Sequence, residues 1–221
     1  MRKLFMAKRC KGLNSKCFLF TYLIIVSFLL VLWLNRLPLM HEDSRDIPVD
    51  MQSYISSPTF PISSFLLHTN RKLALTNDWL LDKWSFVYFT HGQCLPACQP
   101  SLKNMGELQA SFANSDFQFL AIGLDSQHET VDMLTEFLTS QNVELTAATS
   151  TTDEIDKLSK DFIALYLQTD FRDGGYQIEQ EHHIFLVDPK GRVYARFKPP
   201  YSSASIKEKF LKLRHFYAKT E

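Results

Sequence analysis

Cys94 and Cys98 lie four positions apart, where an apolar, aromatic run gives way to a segment of helical spacing: WSFVYFTHGQCLPACQPSLKNM, Trp84 to Met105. The order reads strand, loop, two thiols, helix start. A thiol beside a helix N-terminus feels the positive end of the helix dipole, which favours the thiolate, the form that attacks disulfides and binds metals. With three residues between them on one turn of an incipient helix, the pair can close a disulfide or hold one soft metal ion. Four chemistries compete: a structural disulfide, half of a zinc site, a redox dithiol and a Cu(I) site. So short a loop removes little entropy from the unfolded chain, which counts against the first. No second cysteine pair follows, which counts against zinc. Thiolates with an imidazole suit copper by softness and low coordination number. Between copper and dithiol exchange the two cysteines leave the choice open.

Other side chains with donor atoms read more plainly. His91, three residues before Cys94, could lower a thiol pKa or bind metal, but its setting predicts a solvated loop residue. His128 stands beside Asp125 and Glu129, an acidic patch or a helix-capping turn, with the turn favoured. His41, His68 and His215 cluster with no sulfur and read as surface residues, while Met105 falls at helical spacing and reads as core. Cys10 and Cys17 precede or enter an apolar N-terminal run and read as ordinary apolar residues, with palmitoylation a lesser alternative.

The elements that must position these groups follow from pattern. A hairpin is predicted over Phe65–His68 and Lys72–Leu75, then a capped turn at Thr76–Asp78 and a strand Ser85–Thr90, apolar on consecutive residues as a strand buried on both faces should be. After the cysteines, Leu102, Met105, Leu108 and Phe112 mark a helix, Phe117–Leu124 a second buried strand and Glu129–Thr139 another helix. A short strand near Glu144–Ala148 precedes a helix carrying Ile155, Leu158, Phe162 and Leu165 in phase. His183–Val187 and Val193–Phe197 are strands joined by the turn Asp188-Pro189-Lys190-Gly191, and a helix from about Ser203 aligns Ile206, Phe210, Leu213 and Tyr217. Alternating strands and helices predict an α/β fold, a mixed sheet covered on both faces.

Residues 1–16 hold six of the 24 basic residues and no acid, leaving 18 basic against 24 acidic in the rest. That mildly acidic remainder, with no basic patch interleaved with aromatics, gives no reason to expect nucleic acid as a partner. Cys17 to Asn35 is a run of nineteen uncharged, mostly apolar residues, and about 20 suffice to span a bilayer as a helix. With cations before it and HEDSRD after it, it predicts one transmembrane helix, N-terminus inside. The run is too long for a signal peptide and WLNRLPLM offers no small-residue cleavage site, so the anchor is expected to stay. The domain would then stand on the periplasmic side of the inner membrane, an oxidising setting. Predicted boundaries are a basic cytoplasmic terminus 1–16, an anchor 17–35, a Pro- and Ser-bearing linker 36–64 and the domain 65–221.

The order Leu75…Lys83-Trp84, the strand FVYFTH, the CxxxC pair, a helix, a strand ending at Asp125, and a histidine before an aromatic-Leu-Val-Asp-Pro-x-Gly turn resembles the Sco/SenC family. These are membrane-anchored, thioredoxin-like proteins implicated in copper delivery to cytochrome c oxidase. The resemblance runs from about Phe65 to Tyr217 and extends to the anchor. It implies a thioredoxin-like fold, copper held by Cys94, Cys98 and one histidine, and a copper-accepting oxidase subunit or its assembly factors as partner. A membrane-anchored thiol–disulfide oxidoreductase acting on a partner disulfide is the alternative. Three departures stand out. Gly92-Gln93 separate His91 from the first cysteine, where the family commonly has the cysteine directly after Thr-x. Leu95 and Gln99 replace the usual prolines after each cysteine, and Gln180 stands where the ligand histidine usually lies. The nearby candidates are His182 and His183. Side chains at 180 and 182 point to the same side of an extended segment, so His182 is the expected ligand and His183 the alternative.

Overall fold

The structure, a computed structural model, describes residues 15–36, 46–57, 59, 61–70, 74–113 and 117–221. Two compact units, residues 1–42 and 43–221, are taken separately. In the first, a helix α1 spans Ser15–Arg36. Its side chains are described from Phe20 to Leu32, a shorter run than a bilayer requires, and among the described residues no helix is long and apolar enough to cross a membrane. Cys10, His41 and the side chain of Cys17 lie outside the described residues.

The second unit is built on a seven-stranded mixed sheet. In chain order come β1 (Leu67–Thr69), β2 (Ala74–Leu75), a 3-10 turn (Asn77–Leu80), β3 (Trp84–Thr90), α2 (Gln99–Ser111), β4 (Phe117–Gly123) and α3 (Val131–Ser140). Then follow β5 (Thr146–Thr149), α4 (Thr152–Phe162), β6 (Tyr166–Asp170), β7 (Tyr176–Gln180), β8 (Ile184–Val187), β9 (Val193–Phe197) and α5 (Ser203–Thr220). Across the sheet the order is β2-β1-β5-β4-β3-β8-β9. β3, β4 and β5 run parallel, while β1, β8 and β9 join antiparallel to their neighbours.

Strand pleating divides the core in two. Phe86 and Tyr88 of β3, Phe119 and Ala121 of β4, and Ile184 and Leu186 of β8 face one cluster with α2, α3 and α5. Their neighbours Val87, Phe89, Leu120, Ile122, Phe185 and Val187 face the other, where Ile155, Leu158 and Phe162 of α4 pack. Both faces are covered, as the apolar runs predicted. Helix starts are fixed locally: Thr130 and Thr151 each accept a backbone N–H three residues on, and Pro100 sits in the first turn of α2, where its missing donor costs nothing.

Two expectations are corrected. The segment expected as a linker, 36–64, is in its described part docked on the domain. Tyr54, Ile55 and Ile62 are buried, Ile55 pairs with Ala195 and Pro61 with Arg192. Three apolar side chains with sheet-edge hydrogen bonds outweigh the local signal of prolines and serines. Leu165, placed in phase on α4, is exposed and outside it. The helix stops at Phe162 because Ile163 turns left-handed (φ 55°), and the chain then forms the β6–β7 hairpin, which no apolar run announced.

Candidate metal and thiol site

β3 ends at Thr90, and the next turns carry both cysteines to the start of α2. Cys94 N–H donates to the His91 carbonyl (3.2 Å), Cys98 N–H to the Cys94 carbonyl (3.2 Å), and Cys98 occupies the position before the first residue of α2. The two are joined as a disulfide with Cα atoms 5.5 Å apart. Cys98 is fully buried, Cys94 is 6% exposed, and Thr90 Oγ1 lies 3.3 Å from Cys94 Sγ. Cys94 reaches a cavity of about 400 Å³ whose lining includes His91, His182, Gln180, Tyr176 and Ile178. A larger cavity of about 590 Å³, between Gln52–Ser57 and β9, carries no thiol or imidazole, so the chemistry belongs to the smaller one.

The two candidate histidines part company. His182 shares the pleat of Ile184 and Leu186, the face on which Cys94, Cys98 and Tyr88 lie. Its Nδ1 is 2.9 Å from the Tyr88 hydroxyl and 3.2 Å from Gln180 Nε2, and its carbonyl accepts from the Tyr201 hydroxyl at 2.5 Å. Tyr201 is in turn 2.8 Å from Ser101 Oγ on α2. Gln180 is fixed by donating to the Phe89 carbonyl (2.7 Å). His183 shares the opposite pleat: its ring lies edge-on to Phe185, and its Nδ1 is 3.2 Å from Glu181 Oε2. Burial holds both imidazoles below their ordinary range, and for His183 the Glu181 carboxylate works the other way. Burial likewise pushes the Tyr88 hydroxyl far up, so it remains a neutral hydroxyl beside His182.

His91 contradicts the expectation of a solvated loop residue. It is 3% exposed, because the β6–β7 hairpin, unread in the sequence, closes over it. Burial holds its ring below the ordinary range, partly offset by Asp125, and its Nδ1 is buried with no hydrogen-bond partner.

Next to the thiols, Asp125 ties three elements together. Its carboxylate accepts from the Tyr176 hydroxyl (2.5 Å) and lies 2.7 Å from His128 Nδ1, while His128 and Tyr176 stack at 4.0 Å. Gln93 donates to Tyr176 (3.1 Å), connecting the cysteine loop to the hairpin. Burial pushes the Glu129 carboxyl up to about 7, with the Gly92 backbone N–H opposing and Asp125 adding to it. A Cβ on Gly92 would stand 2.5 Å from Glu129 Oε1, so the approach depends on glycine there. His128 thus does more than cap a turn. His68 and His215 are exposed and Met105 is core, as expected.

With Cys94 and Cys98 joined, no group of three or more His, Cys, Asp and Glu side chains among the described residues converges to hold a metal ion. A disulfide sulfur is a poor donor beside a thiolate; two-electron reduction returns two thiols, of which Cys94 lines a wall already carrying imidazole.

Tyr88, Tyr176 and Tyr201, which orient these groups, were not singled out in the sequence, and Gln180 was noted only as standing where the ligand histidine usually lies. The hairpin did leave one signal, the turn residues Asp173-Gly174-Gly175 between its two five-residue strands.

Comparison with known proteins agrees with this architecture. Residues 55–215 match the family model described as SCO1/SenC. SenC of Rhodobacter capsulatus is 26% identical over 128 residues, 57% of this chain and 58% of that protein. The chain spans between 36% and 58% of the lengths of the curated relatives it matches. Among solved structures, Arabidopsis thaliana ScoI with copper bound superposes with a TM-score of 0.59 at 19% identity, covering 69% of this chain and 97% of that one. BsSco, described as a member of the Sco family of cytochrome c oxidase assembly proteins with a disulfide switch, superposes at 0.57 with 18% identity, covering 70% and 94%. These structural matches establish the thioredoxin-like fold.

Proposed function

The chain belongs to the SCO1/SenC family, and from that premise we propose that it binds copper through Cys94, Cys98 and His182 and delivers it to an oxidase subunit or its assembly factors. In this reading Cys17–Asn35 anchors it, N-terminus inside, in the inner membrane, with the domain on the periplasmic side. The observation that carries the reading is His182, which lines the same cavity as Cys94 and has its Nδ1 2.9 Å from the Tyr88 hydroxyl. A ligating imidazole characteristically donates the N–H of one nitrogen to an orienting acceptor and gives the other nitrogen to the metal; with Nδ1–H donating to the Tyr88 hydroxyl oxygen, Nε2 is the nitrogen left for copper. Copper is cargo here. Both thiols lose their protons on binding it, and soft sulfur with one imidazole suits Cu(I).

The test is copper stoichiometry on the full chain in detergent, reduced and loaded anaerobically, beside His182→Ala. One copper retained by the parent and lost by the variant is the expected result; equal retention removes His182 from the site.

The disulfide itself favours a second reading, a thiol–disulfide oxidoreductase. In the reduced protein the Cys94 thiolate attacks a partner disulfide, and Cys98 displaces the partner from the mixed disulfide. Two electrons and two protons pass to the partner's sulfurs as the Cys94–Cys98 bond forms. A chain that retains no copper but equilibrates readily with glutathione belongs to this class.

A further inference from the structure

His91 is the one buried imidazole of the cavity that the proposed copper site leaves without a task. Buried ring nitrogens without a partner are uncommon, because each forfeits hydration and receives nothing back; a specific orphan calls for an explanation. Here Nδ1 is the orphan, on a ring 3% exposed that lines the same cavity as Cys94 and His182. Its position is set by this chain's own spacing. Gly92 and Gln93 stand between His91 and Cys94, and the resulting turn is closed by the Cys94 N–H on the His91 carbonyl. Gln93 and Gly92 are held in turn by Tyr176 and by the close approach of Glu129, so the turn is anchored from both sides.

We infer that His91 is a further copper ligand, its unengaged Nδ1 joining the His182 nitrogen and the Cys94 and Cys98 sulfurs in a set of two nitrogens and two sulfurs. The inference rests on the copper reading above and deepens it. Four donors of this kind suit Cu(II) better than a two-sulfur, one-nitrogen set does, so this chain should hold the oxidised ion as well as the reduced one. Ligation moves no electrons. It asks only that the disulfide first be opened, for which an added phosphine serves, taking water's oxygen as it is oxidised and leaving two thiols.

The experiment is X-ray absorption at the copper edge on the full chain in detergent, reduced with phosphine and loaded with copper, with affinity measured against a chromophoric chelator. Two imidazoles and two sulfurs are expected in the parent. His91→Leu should keep one imidazole and bind copper at least tenfold more weakly. Its metal-free form should melt close to the parent, because the substitution removes the unsatisfied Nδ1 together with the ring's hydrogen bond to the Ile178 backbone. One imidazole in the parent overturns the inference without need of any variant that must fold. Unchanged affinity in His91→Leu, with copper lost in His182→Ala, overturns it while leaving the copper reading intact. A parent that takes up no copper overturns both.

Discussion

Glu129 shows how much the surroundings of one side chain change its behaviour. Folding lifts its carboxyl from 4.5 to about 7, so the folded protein holds that proton more tightly than the unfolded chain. Its contribution to stability is therefore greatest below about 4.5 and declines as pH rises through about 7. Glu129→Gln cannot titrate, so urea unfolding of parent and variant should diverge in the variant's favour as pH climbs across that window. A gap that stays flat removes the near-neutral carboxyl. The placement of the cysteines at a strand–helix junction, and of His182 on the side of Gln180, was legible at this scale, since both follow from local patterns. The burial of His91 was not, because what covers it comes from residues some ninety positions away.

The hairpin β6–β7 is that cover, and its signature was weak for a physical reason. Of its ten residues only Ile178 is buried, so there was little apolar alternation to read, and a helical phase carried through Leu165 displaced it. Strands β3, β4 and β8, by contrast, are buried on both faces and announce themselves as apolar runs. What fixes the hairpin beside the site is polar: the Tyr176 hydroxyl on Asp125, and Gln93 on Tyr176. Burial and the Asp125 carboxylate push that hydroxyl up to about 12, so it stays a donor at any physiological pH. Tyr176→Phe leaves Asp125 short of a donor at a cost of about 1–3 kcal/mol. The expected outcome is faster amide exchange across Tyr166–Asp170 and Tyr176–Gln180, with the exchange of β3 and β4 scaling only with the global loss. Equal acceleration everywhere would mean that the hairpin is no separate unit.

For the whole molecule, the boundary of the domain matters in practice. A fragment beginning at Ser63 discards Tyr54, Ile55 and Ile62, each buried, and each apolar side chain of that size is worth about 1.5–3 kcal/mol when fully removed from water. Against a total stability of about 5–15 kcal/mol, that fragment should unfold at markedly lower urea than one beginning at Asp46. Coincident midpoints would make the segment a passenger. The asymmetry of the disulfide has a consequence at this scale as well. Cys98 is sealed and Cys94 meets the cavity, so the Cys94–Cys98 pair is reached through one sulfur. On the copper reading proposed above, a reductant and a copper donor would have to use that sulfur in turn, the first to leave before the second can enter. On that same reading, in an oxidising compartment the pace of copper loading would be set by whichever visitor reopens the bond, and the cargo would wait on the electrons.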